Sequence, residues 1–95
     1  MSYEVIFDPG AVREFKKIPN TQRQHLADII DGLTEDPRPP GAEKLTNVEA
    51  YKICVGDYRI IYTIKDDKLI VLIVKVGNRR DVYKDIDIIR KRLKK

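Results

Sequence analysis

From Leu69 to Val74 the chain runs through six consecutive apolar residues, and Lys75-Val76 extends the stretch to LIVLIVKV. Side chains alternate between the two faces of a strand, so a strand of this composition is apolar on both. That predicts a central strand in a sheet, with helices covering one side. Six residues fall far short of the roughly 20 that span a bilayer. The N-terminal MSYEVIFDPG also lacks the basic, then apolar, then small pattern of a signal peptide. A cytoplasmic protein with no membrane partner is expected.

At 95 residues there is room for one small core, and we expect a single domain over 1–95. Hydrophobic residues at 42% with charged ones at 36% suit a globular chain. Cys54 is the only cysteine and His25 the only histidine. An internal disulfide and any Cys- or His-rich metal site are therefore excluded, and neither metal nor small-molecule cofactor is expected.

The remaining elements follow from periodicity. Tyr3, Val5 and Phe7 alternate with Ser2, Glu4 and Ile6 as a short first strand ending at Asp8-Pro9. Asp8 suits an N-cap and Pro9 the first helical position, and Val12, Phe15 and Ile18 mark one face of a helix that stops at Pro19. A second helix opens near Asn20 or Thr21, with Leu26, Ile29, Ile30 and Leu33 as its buried stripe. It ends before Asp36-Pro37-Arg38-Pro39-Pro40-Gly41, a rigid loop. After Leu45 the pattern turns strand-like: Tyr51 to Val55, Tyr58 to Ile64 and Leu69 to Val76, joined by connections short enough to make them antiparallel. From Asp81 a basic helical tail carries Val82, Ile86, Ile89 and Leu93. The expected fold class is α+β: an antiparallel sheet with the two N-terminal helices packed on one face, in the order β-α-α-β-β-β-α.

The charge is unevenly placed. Residues 1–50 hold six basic and nine acidic residues, whereas residues 51–95 hold thirteen basic and six acidic, a balance of +7. A basic half of this kind suits a polyanionic partner. If Gly56-Asp57 is a two-residue hairpin turn, Val55 faces Tyr58 and the pairing continues to Tyr51 with Tyr62. Tyr51, Ile53, Val55, Tyr58, Ile60 and Tyr62 then share a core face, and Lys52, Cys54, Arg59, Ile61 and Thr63 share the opposite, open one. At the end of the central strand Gly77-Asn78 breaks the pattern, and Arg79, Arg80 and Tyr83 follow, with Arg79 and Tyr83 on one helical face. Taken singly these are ordinary surface side chains. GDYR and GNRRDVY flanking one apolar strand form a joint pattern.

That pattern, with YKICVGDYRIIYTI, VLIVKVGNRRDVY and the basic tail, resembles the RelE/ParE superfamily of bacterial toxin–antitoxin toxins, and its RelE branch more than the other. The resemblance covers nearly the whole chain and implies a RelE-like single domain. RelE-like toxins enter the ribosomal decoding site and cut the mRNA there; ParE-like ones inhibit DNA gyrase. Both are neutralised by an antitoxin, here expected to be RelB-like, that wraps the toxin with a helix and an extended segment. The resemblance places the active-site lysine at Lys52, the strand arginine at Arg59, the second arginine at Arg79, with Arg80 as its alternative, and the tyrosine at Tyr83. RelE toxins have a second lysine where this chain has Cys54, and Lys75 or Arg80 is a candidate to fill that role. Lys75, Arg80, Lys84, Arg90 and Lys91 are the expected RNA-binding cations.

Cleavage by attack of the RNA's own 2′-hydroxyl needs a base, a stabiliser for the phosphorane and an acid for the departing 5′-oxygen. His25 reads as a helix-surface or packing residue, remote in sequence from the cationic strands, so proton transfer falls to Lys52 and Tyr83. Lysine and tyrosine are poor bases at neutral pH, and clustered positive charge improves both. Arg59 and Arg79 suit the phosphorane, because a guanidinium binds two phosphate oxygens at once. Such a site gains most from a substrate held in line, which favours ribosome-bound mRNA. The competing expectations are a gyrase-inhibiting binder without nuclease activity and a degenerate toxin kept as a partner for its antitoxin.

Overall fold

In the computed structural model, which describes residues 2–46, 48–80 and 86–94, the apolar run becomes β5 (Ile70–Asn78). It is flanked by β1 (Glu4–Phe7) on one side and, on the other, by β4 (Tyr58–Lys65), β3 (Tyr51–Val55) and β2 (Glu43–Lys44) in that order. The strand starts one residue later than expected because Leu69 takes a positive φ of 54° in the turn.

Two features of the sheet differ from the sequence expectation. β1 lies parallel to β5, with Glu4 opposite Ile70 and Phe7 opposite Ile73, while the other pairs are antiparallel. Both helices intervene between β1 and the rest of the sheet, so no tight turn forces an antiparallel return. β2 was not expected: two charged residues carry no periodic signal, yet Glu43 and Lys44 pair with Lys52 and Tyr51.

The helices form as their sequences dictate. The Asp8 side chain accepts a hydrogen bond from the Gly10 N–H at 2.9 Å and starts α1 (Pro9–Lys16) with Pro9 in the first turn. α2 (Asn20–Gly32) follows Pro19. Ala11, Ile18, Leu26, Ile30 and Leu33 pack on one sheet face against Ile53, Ile60, Tyr62, Val71, Ile73 and Val76. Full burial of a leucine such as Leu26 or Leu33 contributes about 1.5–3 kcal/mol before entropy is counted.

The opposite face is not wholly open. α3 (Ile86–Leu93) lays Ile89, Ile86 and Leu93 over Ile61, Val74, Ala50 and Leu72 in a second apolar cluster. That cover explains why β5 is apolar on both sides. The expected helical stretch 81–85 lies outside the described residues.

The proline loop is strapped across one end of the sheet. Tyr62 donates from its hydroxyl to the Pro37 carbonyl at 2.8 Å, and the Arg38 guanidinium binds both Asp66 carboxylate oxygens at 2.8 and 3.2 Å while lying 5.5 Å from the Tyr51 ring centre. Tyr3 adds a hydroxyl hydrogen bond to Asp66 at 2.7 Å. The bonds from Arg38, then Tyr3, lower the Asp66 carboxyl to about 2, and burial pushes the Tyr62 phenol up to about 12.

Gly10 is buried, and a Cβ there would collide with the Arg92 guanidinium. Glycine to alanine normally stabilises a helix by up to about 1 kcal/mol. Here Gly10→Ala is expected to destabilise by about 1–3 kcal/mol through overpacking, read as a lower urea midpoint at unchanged slope.

Candidate functional site

The site begins at the β3–β4 turn. Gly56, at φ 59°, supplies the left-handed residue that a two-residue hairpin turn needs, and the pairing is Val55 with Tyr58, Cys54 with Arg59, Ile53 with Ile60, Lys52 with Ile61 and Tyr51 with Tyr62. The expected register holds. Lys52, Cys54 and Arg59 therefore share the face opposite α1 and α2.

β5 joins this face through an irregularity that the sequence did not announce. Arg59 pairs with Gly77 and Ile61 with Lys75, but Tyr62 pairs with Ile73, leaving Val74 as an extra residue in a bulge. The bulge turns Val74 and Lys75 to the same face and lets both Ile73 and Val76 reach the core beneath α1 and α2. Cys54, Arg59 and Gly77 then line one row across three strands, with neighbouring strands about 4.8 Å apart. Lys52, Ile61 and Lys75 form the next row.

The side chains in these rows are in different states. Arg59 donates through Nη1 to the carbonyls of Gly56 and Tyr58 at 3.2 and 3.0 Å, and its Nε is buried with no hydrogen-bond partner among the described residues. A buried donor of this kind is unusual and suits an anion. Lys52 keeps 21% of its side chain exposed and lies 3.5 Å from the Glu43 carboxylate. Cys54 is exposed beside Arg59. Arg79 sits where β5 gives way to helical backbone: its N–H donates to the Asp57 carbonyl at 2.8 Å and its side chain is exposed. Arg80 is exposed as well, and its N–H donates to the Asn78 side chain at 3.0 Å. The hairpin turn thus holds both Arg59 and the start of the Arg79 segment.

Two sequence expectations change. Lys75 is only 5% exposed and its ammonium lies 2.6 Å from Glu14, so it presents no charge to a polyanion and does not replace the lysine missing at Cys54. Arg92, counted with the basic tail, points inward to Glu14 at 3.0 Å and to the Val74 carbonyl at 2.9 Å. His25 stands on the surface of α2, in keeping with the sequence reading, and near the turn. It is exposed and, with Gln22, Leu26, Val55, Asp57 and Tyr58, lines a pocket of about 360 Å³ on the other side of the hairpin from Cys54 and Arg59. Arg90, which pairs with Asp87 at 3.6 Å, and Lys91 remain on the exposed side of α3. Tyr83 and Lys84 lie outside the described residues. Glu43 and Glu14 were missed, and no sequence pattern links either to the cation it meets.

Among the described residues no cluster of three or more His, Cys, Asp or Glu side chains is placed to hold a metal. No described helix is long and apolar enough to cross a membrane.

The ParE toxin model of the type II toxin–antitoxin system matches residues 5–83. The chain is 33% identical over 90 residues to the mRNA interferase toxin RelE of Escherichia coli, covering 90% of this chain and 94% of that one. Among solved structures it resembles a mutant of E. coli RelE in the free state, with a TM-score of 0.79 at 28% identity over 96% of this chain and 98% of that one. It also resembles the toxin in the intact E. coli RelBE complex, with a TM-score of 0.73 at 31% identity over 81% and 96% of the two chains. The chain belongs to the ParE toxin family of type II toxin–antitoxin systems, within the RelE/ParE superfamily. Inside that superfamily it is a RelE-like toxin of a toxin–antitoxin pair.

Burial raises the Glu14 carboxyl, but the hydrogen bonds from Arg92, Lys75 and the Val76 N–H outweigh it and hold the group below its ordinary value. A depressed carboxyl stabilises the fold above its unfolded pKa and loses that contribution as pH falls through the folded one. Glu14→Gln is therefore expected to flatten the acid limb of a plot of Tm against pH as pH falls below the ordinary carboxylate range. An unchanged acid limb would count against the charged pairing of Glu14.

Proposed function

We propose that this chain is a ribosome-dependent mRNA endonuclease that acts in the cytoplasm and is neutralised by a RelB-like antitoxin. The observation that carries the reading is the partly buried Arg59 guanidinium, whose Nε has no partner among the described residues, on the same face as Lys52 and beside the strand end that bears Arg79. Likeness to a relative named as an mRNA interferase supports it, as does likeness to the toxin of a RelBE complex.

In this mechanism the substrate 2′-oxygen attacks the adjacent phosphorus, forming a cyclic phosphate and releasing the 5′-oxygen. Arg59 and Arg79 take the phosphorane oxygens. Arg59 is anchored at the turn by two carbonyls, so its orientation is set before substrate arrives, which is what electrostatic stabilisation requires. Lys52 and Tyr83 exchange the protons, and the substitution of cysteine at position 54 leaves Lys52 as the lysine of β3. No metal enters the scheme. Arg80, Lys84, Arg90 and Lys91 bind phosphates without sequence preference, a salt-sensitive contribution. The site holds no histidine, because His25 faces away across the hairpin. It therefore depends on a substrate held in line, a contribution of about 7–11 kcal/mol that a ribosome-bound message supplies and free RNA does not.

Expression without antitoxin, followed by mapping of transcript 5′ ends, is expected to show cuts in register with codons. Arg79→Ala and Arg59→Ala should each reduce cutting about 10²- to 10³-fold while the thermal unfolding profile persists. Undiminished cutting in Lys52→Ala, Arg59→Ala and Arg79→Ala alike would sink the site assignment. Arrest of DNA replication with intact transcripts would favour the gyrase-inhibiting reading, and no growth arrest would favour a degenerate toxin.

A further inference from the structure

β1 ends where Phe7 pairs with Ile73, but β5 continues to Asn78. The edge of β5 facing β1 therefore outruns its partner strand. Unpaired edge groups in a partly buried sheet are costly, and something must meet them. Here side chains do. The Arg92 guanidinium donates to the Val74 carbonyl at 2.9 Å, and the Glu14 carboxylate accepts from the Val76 N–H at 3.3 Å. The Asp8 N–H, at the junction of β1 and α1, donates to the Ile73 carbonyl at 2.9 Å.

The carboxylate that meets Val76 is itself fixed from two other directions. Lys75 approaches Oε2 at 2.6 Å, and Arg92 spans the carboxylate with Nη1 at 3.0 Å from Oε1 and Nη2 at 3.3 Å from Oε2. Arg92 also lies 3.6 Å from Asp8, against the bare Cα of Gly10. Among the described residues, two carboxylates and two cations thus form one largely buried cluster that continues the sheet where β1 stops. Buried ion pairs seldom add net stability over apolar replacements. What this one adds is geometry: the bulge, Lys75, Val76 and Gly77 are held by β4 on one edge and by Glu14 on the other.

We infer that Glu14 is a positioning residue for Arg79: by closing the open edge of β5 at Val76 it fixes the strand end from which Arg79 projects. The inference rests on the role given to Arg79 above. Glu14 touches no substrate; it acts through three residues of backbone whose far end is tied to Asp57.

Two measurements on Glu14→Gln test it. Amide hydrogen exchange in the isolated protein is expected to quicken about tenfold or more at Val76 and Arg79, while Ile64 and Val71, at the other end of the β4–β5 pair, exchange as before. Uniform quickening over the sheet, or none at Val76 and Arg79, would overturn the inference. In single-turnover cleavage of ribosome-bound mRNA the rate should fall about 10- to 100-fold with half-saturation unchanged. The loss should shrink to less than threefold in an Arg79→Lys background, because the two residues act as one unit. Losses that multiply independently would overturn it as well. The exchange measurement needs no activity, so a chain that cuts no RNA defeats the functional reading and leaves exchange to decide the positioning. Should Glu14→Gln fail to fold, the paired change Glu14→Leu with Lys75→Met removes the carboxylate and every acceptor at that place without stranding a buried ammonium. The same exchange pattern is expected from it.

Discussion

Between Ile61 and Tyr62 the pairing of β4 with β5 slips by one residue, and the arrangement of both faces depends on that slip. With strict alternation from Val71, Lys75 would enter the core beside Ile73, and Val76 would leave it. The bulge at Val74 reverses the phase. Val76 is instead only 1% exposed in the main core, Val74 reaches the second cluster under α3, and Gly77 comes to lie beside Arg59. One unpaired residue thus decides which side of the sheet the Arg79 segment leaves from.

The two ends of the sheet are secured by different means. Around the proline loop, Arg38, Asp66, Tyr3, Tyr51 and Tyr62 tie two loops, two strands and the segment before β1 together through aromatic contact and a two-point ion pair. At the other end, the Asp57 carbonyl and the Asn78 side chain hold the start of the Arg79 segment, while a buried charge cluster holds the strand before it. The cationic side chains stand at this second end. The stabilisation there comes from groups whose geometry is demanding and whose net contribution to stability is small.

Much of this was legible in the sequence. The Gly56-Asp57 turn fixed the hairpin register because a two-residue turn admits one pairing, and that register put Lys52, Cys54 and Arg59 together. Asp8-Pro9 and the Leu26, Ile30, Leu33 stripe placed both N-terminal helices, since capping and 3.6-residue periodicity are local signals. What escaped was long-range. A bulge has no signature in a run as uniformly apolar as LIVLIVKV, so the outward turn of Lys75 and its burial by Glu14 could not be read from spacing. Glu14 and Lys75 are 61 residues apart, and Glu14 and Arg92 are 78. Charge counting treats Lys75 and Arg92 as surface cations; the fold spends both against carboxylates. The excess of basic residues in the second half is therefore smaller on the surface than in composition. Glu43 escaped for a similar reason, because a two-residue strand leaves no pattern.

Gly10 and Arg92 occupy one volume between them. The guanidinium lies where a side chain at position 10 would start, so a larger residue there displaces Arg92 from Glu14 and the Val74 carbonyl. A larger residue at 10 fits beside a shorter one at 92, and then the carbonyl of Val74 needs another donor. Far apart in the chain, the two positions share one volume at the open edge of β5.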